Sequence, residues 1–122
     1  MIPTKIKTTG AILLNEEVRG YVDEKIQKLS KFADMSDTTM LMEVELEELP
    51  KRTGDHFRTE LNFSSNGKVL RMEGTGETLH ASVDKAVEEA ASRLKRLKNK
   101  HTDVMRRAGA EVKEFFKNFP GF

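Results

Sequence analysis

The side chains here that could do chemistry are three histidines, a short run holding triad atom types, and a concentration of cations near the C-terminus. His56, His80 and His101 are scattered, with no HExxH motif and no second ligand at helical spacing around any of them. His80, Ser82 and Asp84 contain the atoms of a triad, but close neighbours on a helix point to different sides. The Gly74-Thr75-Gly76 run lacks the third glycine of a dinucleotide fingerprint and precedes no phosphate-binding lysine, so it reads as a turn. Glu43, Glu45 and Glu47 alternate along a strand pattern and read as its wet face rather than a cation site. Cysteine is absent, which removes thiol nucleophiles, disulfides and cysteine-held metals. The expectation is a protein without catalytic residues, metal, cofactor or small-molecule substrate.

The cations carry more information. Residues 93–107 hold seven Lys or Arg against one acid, Asp103. At ~100° per residue, Lys85, Arg93, Arg96, Lys100 and Arg107 fall within about 80° of arc on a helix. That arc lies beside an apolar stripe of Leu79, Val83, Ala86, Val87, Ala90, Leu94 and Leu97. Arginine suits phosphate because its planar donors bind two oxygens at once. Net charge is only +1, but screening acts over about 8 Å at physiological salt, so a local cluster can act despite the small total. The pattern points to a polyanion, RNA or DNA, contacted through phosphate, sugar and shape, because Phe57 and Phe63 belong to a core face.

Elements that could position this flank follow from periodicity. Ile2, Thr4, Ile6 and Thr8 alternate with Lys5 and Lys7 in a first strand, which Pro3 assigns to a sheet edge. Asn15 is a good N-cap, and Glu16 and Glu17 suit the first helical turn. Val18, Val22, Ile26, Leu29 and Ala33 form that helix's buried stripe, with Lys25 and Lys28 to one side and its end near Phe32 to Asp34. Met42, Val44 and Leu46 face inward in a second strand, and Phe57, Thr59, Leu61 and Phe63 in a third. Asn66-Gly67 turns the chain into a fourth strand with Leu70 and Met72 inward. Gly74 and Gly76 are expected to break that pattern, and Thr78 to cap the long helix. The order is β-α-β-β-β-α, an α+β fold with two helices covering one face of a four-stranded sheet. The other face mixes Lys, Arg and Glu and offers phosphate a poor surface.

A chain of 122 residues suits one domain, here expected over 1–105, followed by a short tail at 106–122. Phe115, Phe116, Phe119 and Phe122 make that tail more aromatic than a solvated linker needs. With no membrane-length apolar run and no signal-peptide core in MIPTKIKTTG, a cytoplasmic location is expected.

In VRGYVDEKIQKLSKF the residues Arg19, Tyr21, Val22, Lys25, Leu29, Lys31 and Phe32 follow the first-helix pattern of a known family. Across about residues 4–101 the sequence resembles that family, the ribosome hibernation-promoting factors, also called ribosome-associated translation inhibitors. NGKVLRMEG matches its hairpin, and TLHASVD is similar to its second-helix start, keeping Val83 and Asp84 with His80 in place of tyrosine. RLKRLKNK keeps the character of the close through Leu94, Arg96 and Lys98. Glu89, Ala90 and Ser92 stand where the family usually has Lys-Leu-x-Arg. The resemblance implies a fold similar to a double-stranded RNA-binding domain. It also implies a non-enzymatic factor, monomeric off the ribosome, that binds small-subunit rRNA in the channel used by mRNA and tRNA and blocks translation when growth stops. The implied RNA-binding residues are Lys25, Lys28, Lys31, Lys85, Arg93, Arg96, Lys98 and Lys100, with Arg106 and Arg107 of the tail taking part. The resemblance also implies a tail of the kind found in short family members, the 15 residues of 108–122 being too few to supply the dimerisation domain of long ones. A free-standing double-stranded RNA-binding module is the alternative reading.

Overall fold

The structure is a computed structural model that describes residues 1–50 and 54–107, and side chains as far as Lys100. Its elements run β1 (Thr4–Thr9), α1 (Glu16–Gln27), a 3-10 segment (Lys28–Phe32), β2 (Leu41–Glu48), β3 (Phe57–Ser65), β4 (Lys68–Gly76) and α2 (Leu79–Arg107). The four strands lie in the order β1-β2-β3-β4, with β1 parallel to β2 and the other two pairs antiparallel. Parallel pairing of β1 with β2 requires a crossover, and α1 supplies it. The expected β-α-β-β-β-α order and the edge position of β1 are both observed.

Alternation places one face of each strand in the core. Met42, Val44 and Leu46 of β2 face Leu61, Phe63 and Met72 across the sheet, all nearly inaccessible. Val22, Ile26 and Leu29 close the core from the first helix, and Val83, Ala86, Ala90 and Leu94 from the second. The first helix begins as its sequence predicts, with the Asn15 side chain accepting from Val18 N at 2.9 Å. Its end differs from expectation in type: α geometry stops at Gln27, and the chain continues as the 3-10 segment to Phe32. Gln27 also ties α1 to the start of β1, donating to the Ile2 carbonyl and accepting from the Ile2 amide.

Gly74 and Gly76 do not break the strand, contrary to expectation. Both are paired residues of β4, opposite Thr59 and Phe57. Their role is to bring α2 down onto the sheet, because a Cβ on Gly74 would meet the Ser82 carbonyl oxygen at 2.8 Å and the Ala86 amide closer still. Glycine was legible as punctuation; a close helix approach uses the same residue for a different reason. Asn66 and Gly67 do adopt the positive φ values, 50° and 77°, of the expected tight turn. Two carboxylates brace that turn. Asp37 accepts from Ser65 Oγ at 2.8 Å and from the Asn66 amide at 2.9 Å, while Asp34 accepts from Asn66 Nδ2 at 3.2 Å.

Candidate nucleic-acid interface

Thr78 starts α2 by accepting from Ala81 N at 3.0 Å through its hydroxyl. Ser82 then points into the sheet, where its hydroxyl meets Thr59 at 2.8 Å and donates to the Leu79 carbonyl. His80 and Asp84, four residues apart, face α1 instead. The His80 ring lies edge-on to Tyr21 at 4.2 Å, and Asp84 accepts the Tyr21 hydroxyl at 2.5 Å. Ser82 is thus turned away from both potential triad partners. The Tyr21 proton is held tightly: hydrogen bonding to Asp84, with burial and the carboxylate's charge behind it, pushes its pKa up to about 12. Lys25 completes the link, 3.5 Å from Asp84 and 5.4 Å above the Tyr21 ring.

This docking fixes the rotation of α2, and with it the two sides on which its cations lie. Arg93 reaches over the sheet margin, where Nη1 donates to the Arg71 carbonyl of β4 at 2.5 Å. Arg96 and Lys100 line the same side with Leu70 and Leu97, and Lys85 is exposed on the β4 side of the helix by its spacing from them. Lys98 points the other way, its Nζ donating to the Lys31 carbonyl of the 3-10 segment at 2.9 Å. Lys25, Lys28 and Lys31 line a groove on that side, between the first helix and α2. The ten sequence-derived cations therefore do not form one continuous strip. Lys85, Arg93, Arg96 and Lys100 form a β4-side group; Lys25, Lys28, Lys31 and Lys98 form an interhelical group. Arg106 and Arg107 continue α2, but their side chains and that of His101 are not among those described, and the tail 108–122 lies outside the described residues.

Electrostatics separates the helical layer from the open sheet face. On that face Arg58 is surrounded by Glu47, Glu60 and Glu73, and its hydrogen bonds to them, Glu73 first, raise its pKa further above the ordinary arginine value. Arg71 lies 3.6 Å from Glu60. Five glutamates (Glu43, Glu45, Glu47, Glu60, Glu73) stand there against four cations (Lys5, Lys7, Arg58, Arg71). The helical layer is where cations stand without that surplus of acid, although Glu89 lies exposed within the β4-side arc. Sequence reasoning left out Lys95, exposed on α2 but off the counted arc, and the apolar floor of the interhelical groove. The floor had one available signal, Phe32 at the end of the first helical stripe. Among the described residues no cluster of three or more His, Asp or Glu could hold a metal ion. Among the described residues no helix is long and apolar enough to cross a membrane.

Residues 6–102 match the model of the family described as Sigma 54 modulation protein / S30EA ribosomal protein. The chain belongs to this family. That bears out the resemblance carried by the first helix, the hairpin and the opening of α2. The Ribosome hibernation promotion factor of Picosynechococcus sp. is 27% identical over 90 residues, which are 74% of this chain and 46% of that protein. The chain thus spans about half the length of this curated relative. Among solved structures, the Thermus thermophilus Protein Y N-terminal domain matches with a TM-score of 0.64 at 20% identity, over 79% of this chain and 99% of that one. A ribosomal subunit interface protein from Coxiella burnetii matches with a TM-score of 0.63 at 9% identity, over 80% and 99% of the two chains. At these identities the structures establish a shared fold.

Proposed function

We propose that this protein is a non-enzymatic, cytoplasmic ribosome-hibernation factor that lays its helical layer on small-subunit rRNA and obstructs the mRNA and tRNA sites. The observation that carries the reading is the two cationic groups flanking α2, on the layer opposite a sheet face of mixed charge. The family, and the hibernation role in the printed name of the cyanobacterial relative, support the ribosome as the target. Obstruction needs no chemistry. A folded body in the path of tRNA excludes it by volume, while lysine and arginine hold that body on phosphate. Binding through phosphates releases counterions, so affinity should fall steeply with salt, by roughly one power of salt concentration per phosphate contact.

Co-sedimentation with small subunits at two salt concentrations tests this. Arg96→Glu combined with Lys100→Glu, both exposed and outside the core, should abolish co-sedimentation and leave thermal unfolding unchanged. Ribosome binding equal to wild type in that double variant would overturn the surface assignment. Equal competition by an isolated RNA duplex would favour a free-standing double-stranded RNA-binding module over a ribosome-directed factor.

A further inference from the structure

The groove between the first helix and α2 is more than a row of lysines. It has a volume of about 330 Å³, at the small end of the range of ligand sites, ~300–1,000 Å³. Its floor is apolar, built from the packed Leu29 and Val87 and the partly exposed Phe32 and Ala91. Its outer rim on the 3-10 side carries the exposed ammonium groups of Lys28 and Lys31. The α2 wall is acidic, with Asp84 and Glu88 one helical turn apart. Tyr21 and Lys25 both engage Asp84 through Oδ1, so Oδ2 keeps its acceptor capacity. Glu88 is exposed and makes no ion pair among the described residues.

An apolar floor, cations at one side and carboxylate acceptors at the other match the face of a base, its phosphate and its amino edge. We propose that this groove holds one unpaired RNA nucleobase bearing an exocyclic amino group. Lys31 Nζ now lies 5.2 Å above the Phe32 ring; on binding it swings out to a phosphate beside Lys28, the base packs over Phe32 and Ala91 in its place, and the amino group donates to Asp84 Oδ2 or Glu88. Aromatic and apolar platforms accept any base face, whereas a carboxylate accepts from the exocyclic amino group of cytosine and meets an acceptor, O4, at the same position of uracil, which keeps only its N3–H as a donor. An acidic peptide would also suit the lysines. Asp84 and Glu88 repel it, however, and a groove this small holds one planar group rather than the two turns of a helix. This inference rests on the RNA-binding reading above and adds to it a contact that depends on the base.

The test is titration of the full chain, isotope-labelled for amide NMR, with cytidine 5′-monophosphate, uridine 5′-monophosphate and ribose 5-phosphate. Cytidine monophosphate should shift the amides of Phe32, Val87 and Ala91 and bind about fivefold tighter than the uridine nucleotide, the worth of one hydrogen bond. Ribose 5-phosphate should shift only the amides near Lys28 and Lys31. Glu88→Gln, at an exposed position, and Phe32→Leu, which keeps an apolar side chain, should each narrow the preference. Identical shifts from all three ligands would overturn the proposal. So would an acidic amphipathic peptide that shifts the same amides more strongly than the cytidine nucleotide at equal concentration. Co-sedimentation of the same samples with ribosomes separates the two readings. Ribosome binding without the cytidine preference removes the base site alone, whereas the preference without ribosome binding removes the ribosomal target alone.

Discussion

Replacing Gly74 by alanine should unseat α2, and the size of the effect follows from the contact. The added methyl carbon would lie 2.8 Å from both the Ser82 carbonyl oxygen and Lys85 Cβ, and nearer still to the Ala86 amide nitrogen. Two of these three atoms are backbone inside a helix, so no side chain can rotate away and relief requires moving α2 itself. Overpacking of a core costs about 1–3 kcal/mol when neighbours can adjust, and a backbone obstacle belongs at the top of that range. A loss of about 3 kcal/mol corresponds to a fall in Tm of about 15 °C for a domain near 100 residues. Gly20→Ala is the internal control: it lies in exposed helix with nothing within 4 Å of an added Cβ. There alanine should stabilise by up to about 1 kcal/mol. Urea denaturation of the two variants beside wild type provides the measurement. A Gly74→Ala loss below about 1 kcal/mol would refute the claim that the glycine exists for helix approach.

Three further outcomes are expected. The hydrogen bonds of Thr39 first, then those of Ser65 and the Asn66 amide, hold the Asp37 carboxyl down at about 2. Its folded pKa is depressed, so its contribution is complete above the unfolded value near 4 and is lost as pH falls from about 4 to about 2. The shift corresponds to about 2 kcal/mol, reduced to about 1 kcal/mol because the group is partly exposed. Asp37→Asn should therefore lower stability to urea by about 1 kcal/mol at pH 7, with the difference from wild type vanishing near pH 2. Tyr21 is the single tyrosine of the chain, so its ionisation can be followed by ultraviolet absorbance. The midpoint should lie near 12 and move toward 10 in Asp84→Asn; a wild-type midpoint near 10 would contradict the hydrogen bond. Arg58→Met leaves Glu47, Glu60 and Glu73 facing one another and should cost about 1 kcal/mol at low salt, with part of the loss recovered at 1 M salt.

Local chemistry made much of the fold legible. The alternation of Met42 to Glu47, the Asn15 cap and the Asn66-Gly67 turn each act within a few residues, where sequence spacing and space coincide. The brace under the hairpin was not read, although Asp34 and Asp37 each stand two residues before a hydroxyl residue, the spacing of a side-chain turn. Their other partners, Ser65 and Asn66, lie far along the chain, and no periodicity reports that. The cationic residues were visible in the same partial way. Their arc on α2 was countable, but which side of the arc meets β4 and which meets the first helix depends on how α2 seats on Gly74 and Gly76. Arg93 shows the consequence, since a residue chosen for phosphate also closes over the Arg71 carbonyl at the sheet margin.

The parallel pairing of β1 with β2 bears on the order in which the chain can assemble. Asn66 and Gly67 join β3 to β4 at almost no loop-closure cost, and β2 adds to β3 across a short connection. Thr4, by contrast, finds Met42 only after the whole crossover has been made. During synthesis, the strand that leaves the ribosome first must wait for a partner made much later. Its side chains should therefore contribute little to the folding transition state, so that weakening β1 speeds unfolding and leaves the folding rate nearly unchanged.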